Sequence, residues 1–228
     1  MSFRGVVAID GPSGSGKSSV SRAVATRLGL RYLDTGAMYR AVAYGAVLAG
    51  IDVEDYARVE EFARAMSLPM PTDPQRQSIV VNGAEVTAQI RTSAVSLMVS
   101  AVATNLGVRR ELVRRQQQIV ADGRAIVLEG RDTTTVIAPD ADVRILITAD
   151  PQARVRRRTA ELHDEVSSQT MSQTLTEIVD RDAKDSTVVE FQSAADGVVT
   201  LDTSDLDLDQ SIDAVLQIIA TSQREQAQ

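Results

Sequence analysis

The run Gly11-Pro12-Ser13-Gly14-Ser15-Gly16-Lys17-Ser18 constrains this chain more than any other feature. It fits the pattern GxxxxGK[ST] in full. Glycines let successive backbone N–H groups turn inward into an anion nest, and a following helix N-terminus adds a favourable dipole. The context suits that use. Val6-Val7-Ala8-Ile9 reads as a central parallel strand covered on both faces, and a helical pattern occupies 17–28. A nucleoside triphosphate site is therefore expected, with Gly11, Pro12, Ser13, Gly14, Ser15, Gly16, Lys17, Ser18 and Ser19 around the phosphates. Lys17 would reach the β- and γ-phosphates and the Ser18 hydroxyl would ligate Mg²⁺.

Further apolar strands are expected at 31–33, 125–128, 143–147 and 198–201, alternating with helical spacing. That rhythm predicts an α/β fold, a doubly wound parallel sheet of the P-loop type. Two stretches break it. Ser78-Ile79-Val80-Val81, Asn82-Gly83 and Glu85-Val86-Thr87 carry a hairpin signal, which places a small antiparallel insertion at 66–104. Residues 153–184 are polar, charged and helical in pattern, and are expected to form a lid. The core is then assigned to 1–65, 105–152 and 185–228. Asp207 with Gln210 three residues on predicts a capping box for the last helix. The tail from Thr221 is expected to fray.

Composition narrows the function classes. The 228 residues carry a net charge of -7, which disfavours a general nucleic-acid binder. With no cysteine there is neither a disulfide framework nor a thiolate metal site. No apolar run is long enough to span a bilayer, and no signal-peptide layout is present. A cytoplasmic monomer is expected, with no nucleic-acid or membrane partner.

A phosphate loop is shared by kinases, GTPases and transport ATPases, so the acceptor side must decide between them. Asp34-Thr35-Gly36-Ala37-Met38-Tyr39-Arg40 follows the second strand. With Asp10-Gly11-Pro12, Ile90-Arg91-Thr92, Val108-Arg109, Glu129-Gly130-Arg131-Asp132, Pro139-Asp140-Ala141, Arg181-Asp182 and Asp185-Ser186-Thr187, the chain resembles the bacterial cytidylate kinases. The resemblance implies ATP as phosphoryl donor, CMP or dCMP as acceptor, Mg²⁺, and direct in-line transfer within pyrimidine nucleotide metabolism. It implies that Arg40 and Arg131, with Thr35 nearby, hold the acceptor phosphate. Ser100, Arg109 and Asp132 would read the cytosine edge, and Arg181 and Asp185 the ribose. Arg154, Arg157 and Arg158 would reach in from the lid toward the transferred phosphoryl group, where guanidinium forks suit phosphate oxygens. Asp132 is also assigned a share in orienting Mg²⁺, through water. The lone His163 is read as a lid-surface residue.

Three departures from the resemblance stand out. Thr133-Thr134-Thr135 follows Arg131-Asp132 where relatives place a glycine, which predicts a reshaped loop. Val188 occupies the place of an arginine that supports the acceptor phosphate. One lost charged donor costs on the order of 1.5–3 kcal/mol. Glu190-Phe191-Gln192 replaces an Ala-Pro-Leu segment. Two alternatives stay open at this stage: another small acceptor (UMP, AMP or shikimate), or a nucleotide-binding regulatory module with impaired transfer. No Asn-Lys-x-Asp run supports a GTPase switch.

Overall fold

The computed structural model describes residues 3–162 and 167–226, so His163 lies outside the described residues. In chain order the elements are β1 (Val6–Asp10), α1 (Lys17–Leu28), β2 (Arg31–Asp34), α2 (Thr35–Leu48), α3 (Tyr56–Ala65), β3 (Val80–Val81) and β4 (Ala84–Glu85). There follow α4 (Ser93–Thr104), α5 (Leu106–Val120), β5 (Ile126–Gly130), β6 (Val143–Thr148), α6 (Pro151–Leu162), α7 (Ser168–Asp185), β7 (Val199–Asp202) and α8 (Leu208–Gln226). Five strands form a parallel sheet in the order β2-β5-β1-β6-β7. The expected doubly wound α/β fold is thus present.

Alternation along the central strands divides the core in two. Val7 and Ile9 of β1 and Val127 of β5 face α1 and α8, packing with Val20, Val24, Ile212 and Val215. Ala8, Ile126 and Leu128 face the other way, toward Met38 and Val42 of α2 and Leu112 of α5. Side chains on a strand alternate between faces, so a continuous apolar run serves both layers. Because all five strands run parallel, the C-terminal ends of β1, β2 and β5 open on one edge. Gly11, Thr35 and Arg131 each follow directly there.

The antiparallel pair β3–β4 is small, and its turn is Asn82-Gly83 with φ 49° and 86°. Both values lie in the left-handed region that a type I′ hairpin demands. The rest of residues 66–104 carries no further strand and ends in α4, packed on α2 and α7. The last helix begins as expected. Gln210 N donates to Asp207 Oδ1 at 2.8 Å, and Asp207 N donates to Gln210 Oε1 at 2.9 Å. It does not end as expected: α8 continues past Thr221 to Gln226, with Ser222 Oγ donating to Asp142 O at 3.1 Å. No helix among the described residues is long and apolar enough to cross a membrane.

Candidate active site

The loop after β1 curls under α1 with Gly14 and Gly16 at φ 77° and 88°. A Cβ at Gly14 would also stand 2.5 Å from Arg154 O, so a side chain there would push α6 off the loop. Above the loop lies a cleft of 430 Å³ lined by Ser13, Gly14, Gly16, Lys17, Ser18 and Ser19. Gly11, Pro12 and Ser15 of the loop are buried behind that lining. Lys17 Nζ donates to Pro12 O at 3.2 Å. Burial pushes the Lys17 ammonium down to about 8, opposed by Glu129 and reinforced by Arg131 and Arg181.

The Ser18 hydroxyl donates to Glu129 Oε1 at 2.7 Å. Glu129 is the fourth residue of β5 and is buried; burial pushes its carboxyl up to about 7, with the nearby Asp34 adding to the shift. The acidic group beside Ser18 is Glu129, and Asp132 lines the same cleft from the turn after β5. Asp132 lies past the strand end, where the chain has turned, and its Oδ2 accepts from Arg109 Nη2. Burial raises the Asp132 carboxyl and Arg109 opposes the rise.

The opposite wall carries the expected acceptor residues. Arg40 donates from Nη2 to Asp34 Oδ2 at 2.8 Å, while Asp34 Oδ1 caps α2 by accepting from Ala37 N at 2.7 Å. Thr35 Oγ1 donates to Glu129 O at 2.8 Å, binding α2 to β5. The Arg109 guanidinium lies 6.0 Å above the Tyr39 ring, whose buried hydroxyl has no partner among the described residues. Arg131 Nε lies 3.0 Å from Asp185 Oδ2 and its Nη1 donates to Asp182 at 2.7 Å. Arg181 Nε lies 3.7 Å from the same Asp185 oxygen, and burial with the neighbouring Arg131 pushes its guanidinium down to about 9. Asp185 Oδ1 is buried without a partner among the described residues.

Of the three α6 arginines assigned to the lid, Arg158 reaches the cleft and Arg154 lies beside it. Arg158 lines it, donating to Ser96 Oγ at 3.0 Å, and Arg154 donates to Asp182 Oδ2 at 2.6 Å. Arg157 turns elsewhere. Its guanidinium donates to Ser15 O at 3.3 Å, Thr203 O at 2.6 Å and Leu206 O at 3.0 Å, clamping the phosphate loop to the segment after β7. Helical spacing gave these arginines one face but could not say that β7 borders part of it. Ser100 is likewise not on the cleft wall; it is buried on α4.

Four residues that stood in the motifs without a role belong here: Asp34, Arg91 and Glu129 line the cleft, and Asp182 pairs with Arg131 and Arg154 beside it. Their motifs marked them, and Glu129 carried a second signal, a carboxylate near the end of an apolar strand. Together these walls bring eight cationic side chains, among them Lys17, Arg40, Arg131, Arg158 and Arg181, to one cleft against five carboxylates. Such a cleft takes polyanions, with the phosphate loop on one side and the Arg109–Asp132 pair on the other.

The family model described as Cytidylate kinase matches residues 7–221. A protein named Cytidylate kinase from Cutibacterium acnes (strain DSM 16379 / KPA171202) is 49% identical over 220 residues, 96% of this chain and 97% of that one. Another of that name from Nocardia farcinica (strain IFM 10152) is 45% identical over 217 residues, 94% of this chain and 93% of that one. Among solved structures, an uncharacterized protein from Eubacterium ventriosum ATCC 27560 superposes with a TM-score of 0.51 at 12% identity, covering 94% of this chain and 98% of that one. That likeness concerns the fold alone. The match over nearly the whole length, on a chain whose cleft sets a phosphate loop opposite the Arg109–Asp132 ion pair, places this protein in the cytidylate kinase family.

Proposed function

We propose that this chain transfers the γ-phosphoryl group of ATP to CMP or dCMP, giving ADP and CDP or dCDP, and that it works as a cytoplasmic monomer. The cationic cleft carries this reading. Burial and mutual repulsion hold Lys17 and Arg181 below their ordinary values, and bound phosphates would relieve both.

On the donor side, the backbone N–H groups of 11–16 and Lys17 hold the β- and γ-phosphates. Ser18 and Glu129 would hold Mg²⁺. Their fit is good, since the Ser18 hydroxyl and the buried Glu129 carboxyl, 2.7 Å apart, bring oxygen donors together beside the phosphate loop. When bound, the ion would neutralise the triphosphate charge as the phosphoryl group moves.

On the acceptor side, Arg40 and Arg131 bind the monophosphate and orient one of its oxygens toward the donor. Phosphoryl transfer to such an oxygen needs alignment and charge neutralisation rather than a strong base. Arg154 and Arg158 supply positive charge from α6. The Arg109–Asp132 pair suits cytosine, whose edge has an amino donor beside a ring acceptor; a base lacking that order leaves a buried charge unpaired. Asp185 Oδ1 awaits a hydroxyl donor, which a ribose provides.

The test is ADP formation from ATP with CMP, dCMP, UMP, AMP and GMP in turn. Turnover concentrated on CMP and dCMP is expected, and an Arg109→Met variant should lose that selectivity. A flat acceptor profile in the wild type would overturn the reading.

A further inference from the structure

Asp182 sits where four parts of the site meet. It lies on α7, three residues before Asp185 and therefore on the same helix face. Its Oδ1 accepts from Arg131 Nη1 at 2.7 Å and from the backbone N–H of Ser13 at 3.3 Å; its Oδ2 accepts from Arg154 Nη1 at 2.6 Å. One buried carboxylate thus joins the phosphate loop, the segment after β5, and both helices α6 and α7. The role assigned to the arginines above explains why they are present, but not what holds two like charges side by side.

We propose that Asp182 is a positioning residue for phosphoryl transfer: it fixes Arg131 and Arg154 together over the Ser13 N–H and releases both when α7 moves away. The atoms used support this. Asp182 and Asp185 take Nη1 and Nε of Arg131, which leaves the Nη2 amine for an acceptor oxygen. Asp182 takes only Nη1 of Arg154. The ring of Phe191, 4.3 Å from the Arg131 guanidinium carbon, closes the remaining face. Two guanidiniums sharing one carboxylate have their free edges set by it, and a carboxylate on α7 can hold them only while α7 is docked on the loop. Docking and arginine placement then become one event, so charge neutralisation is complete only in the closed cleft.

This inference rests on the kinase reading, and its test separates the two. Asp182→Asn and Asp182→Glu are compared with wild type in steady-state kinetics on CMP, with ATP binding measured by calorimetry and folding by melting temperature. Asp182→Asn should lower kcat on the order of 100-fold, the scale of a misplaced charged group, with ATP affinity and melting temperature near wild type. Asp182→Glu should recover part of the rate. Combined with Arg154→Met, Asp182→Asn should add little further loss, because the two act as a unit. Wild-type kcat in Asp182→Asn, a fully multiplicative double variant, or tighter ATP binding without rate loss would overturn the proposal. The last of these would mean that the carboxylate merely fills a phosphate position. A wild-type chain inactive on CMP would overturn the kinase reading itself.

Discussion

Thr134 Oγ1 donates to Asp10 Oδ2 at 2.6 Å, and the Thr134 backbone N–H donates to the same oxygen at 2.8 Å. Thr133 treats Asp10 Oδ1 alike, at 2.7 and 2.9 Å. Four donors therefore fasten the residue before the phosphate loop to a single π-helical turn, Thr133–Ile137. Among described non-glycine residues only Asn82 has a left-handed φ, so Thr134 holds a backbone conformation that does not require glycine. Its hydroxyl adds a bond that glycine would lack.

Thr134→Ala should consequently destabilise the fold by about 1 kcal/mol, the usual worth of one such bond. Thr134→Gly should cost more, through added backbone freedom. Thermal unfolding checks both; a Thr134→Gly protein that melts higher than wild type would show that threonine does strain the turn.

Val188 lines the cleft beside Asp185. Replacing it with arginine should add a charged donor toward the acceptor phosphate, lowering KM for CMP by about tenfold or more. KM for ATP should be unchanged. If Val188→Arg leaves KM for CMP as it was, the remaining arginines already saturate that phosphate.

Phe191 is fully buried with its ring against Arg131. Phe191→Leu keeps most of the apolar volume and removes the aromatic face. A cation–π contact is worth about 0.5–2 kcal/mol, so KM for CMP should rise while KM for ATP holds. Equal rises in both constants would assign Phe191 to packing alone.

Away from the cleft, Glu111 ties α5 to the end of α3. Its carboxylate accepts from Arg114 Nη2 at 2.7 Å and from Arg115 Nε at 2.6 Å, and Arg115 donates onward to Ala63 O at 2.9 Å and Met66 O at 3.2 Å. The hydrogen bond from Arg114, with help from Arg115, pushes Glu111 down to about 2. A depressed folded value stabilises above the unfolded value near 4.5 and stops doing so as pH falls through about 2. Glu111→Gln should therefore cost about 1 kcal/mol at pH 7, with partial exposure of Arg114 limiting the figure. Urea unfolding at several pH values should show the gap to wild type closing between about pH 4.5 and pH 2. A constant gap would mean that the pair contributes through shape and not charge.

Features written in adjacent residues were the ones legible in the sequence. The phosphate loop, the Asn82-Gly83 turn and the Asp207–Gln210 box each depend on local geometry, and each is found where expected. The positions of Arg40, Arg109, Arg131 and Asp185 followed from their motifs. Relations across the fold were not legible. Glu129 meets Ser18 because β5 lies beside β1, and Asp182 meets Ser13 because α7 folds back over the loop. Arg157 shows the same limit: its helix face could be read, but the Thr203 and Leu206 carbonyls that border it could not.

The most direct measurement is chromatographic detection of CDP formed from ATP and CMP, in wild type and in Lys17→Ala. Lys17 lines the cleft, with Nζ donating to Pro12 O of the phosphate loop at 3.2 Å. CDP accumulating one-for-one with ADP in the wild type, and neither forming with Lys17→Ala, is the expected result. ADP without CDP, or a Lys17→Ala variant as active as wild type, would contradict the assignment of this cleft to phosphoryl transfer between ATP and CMP.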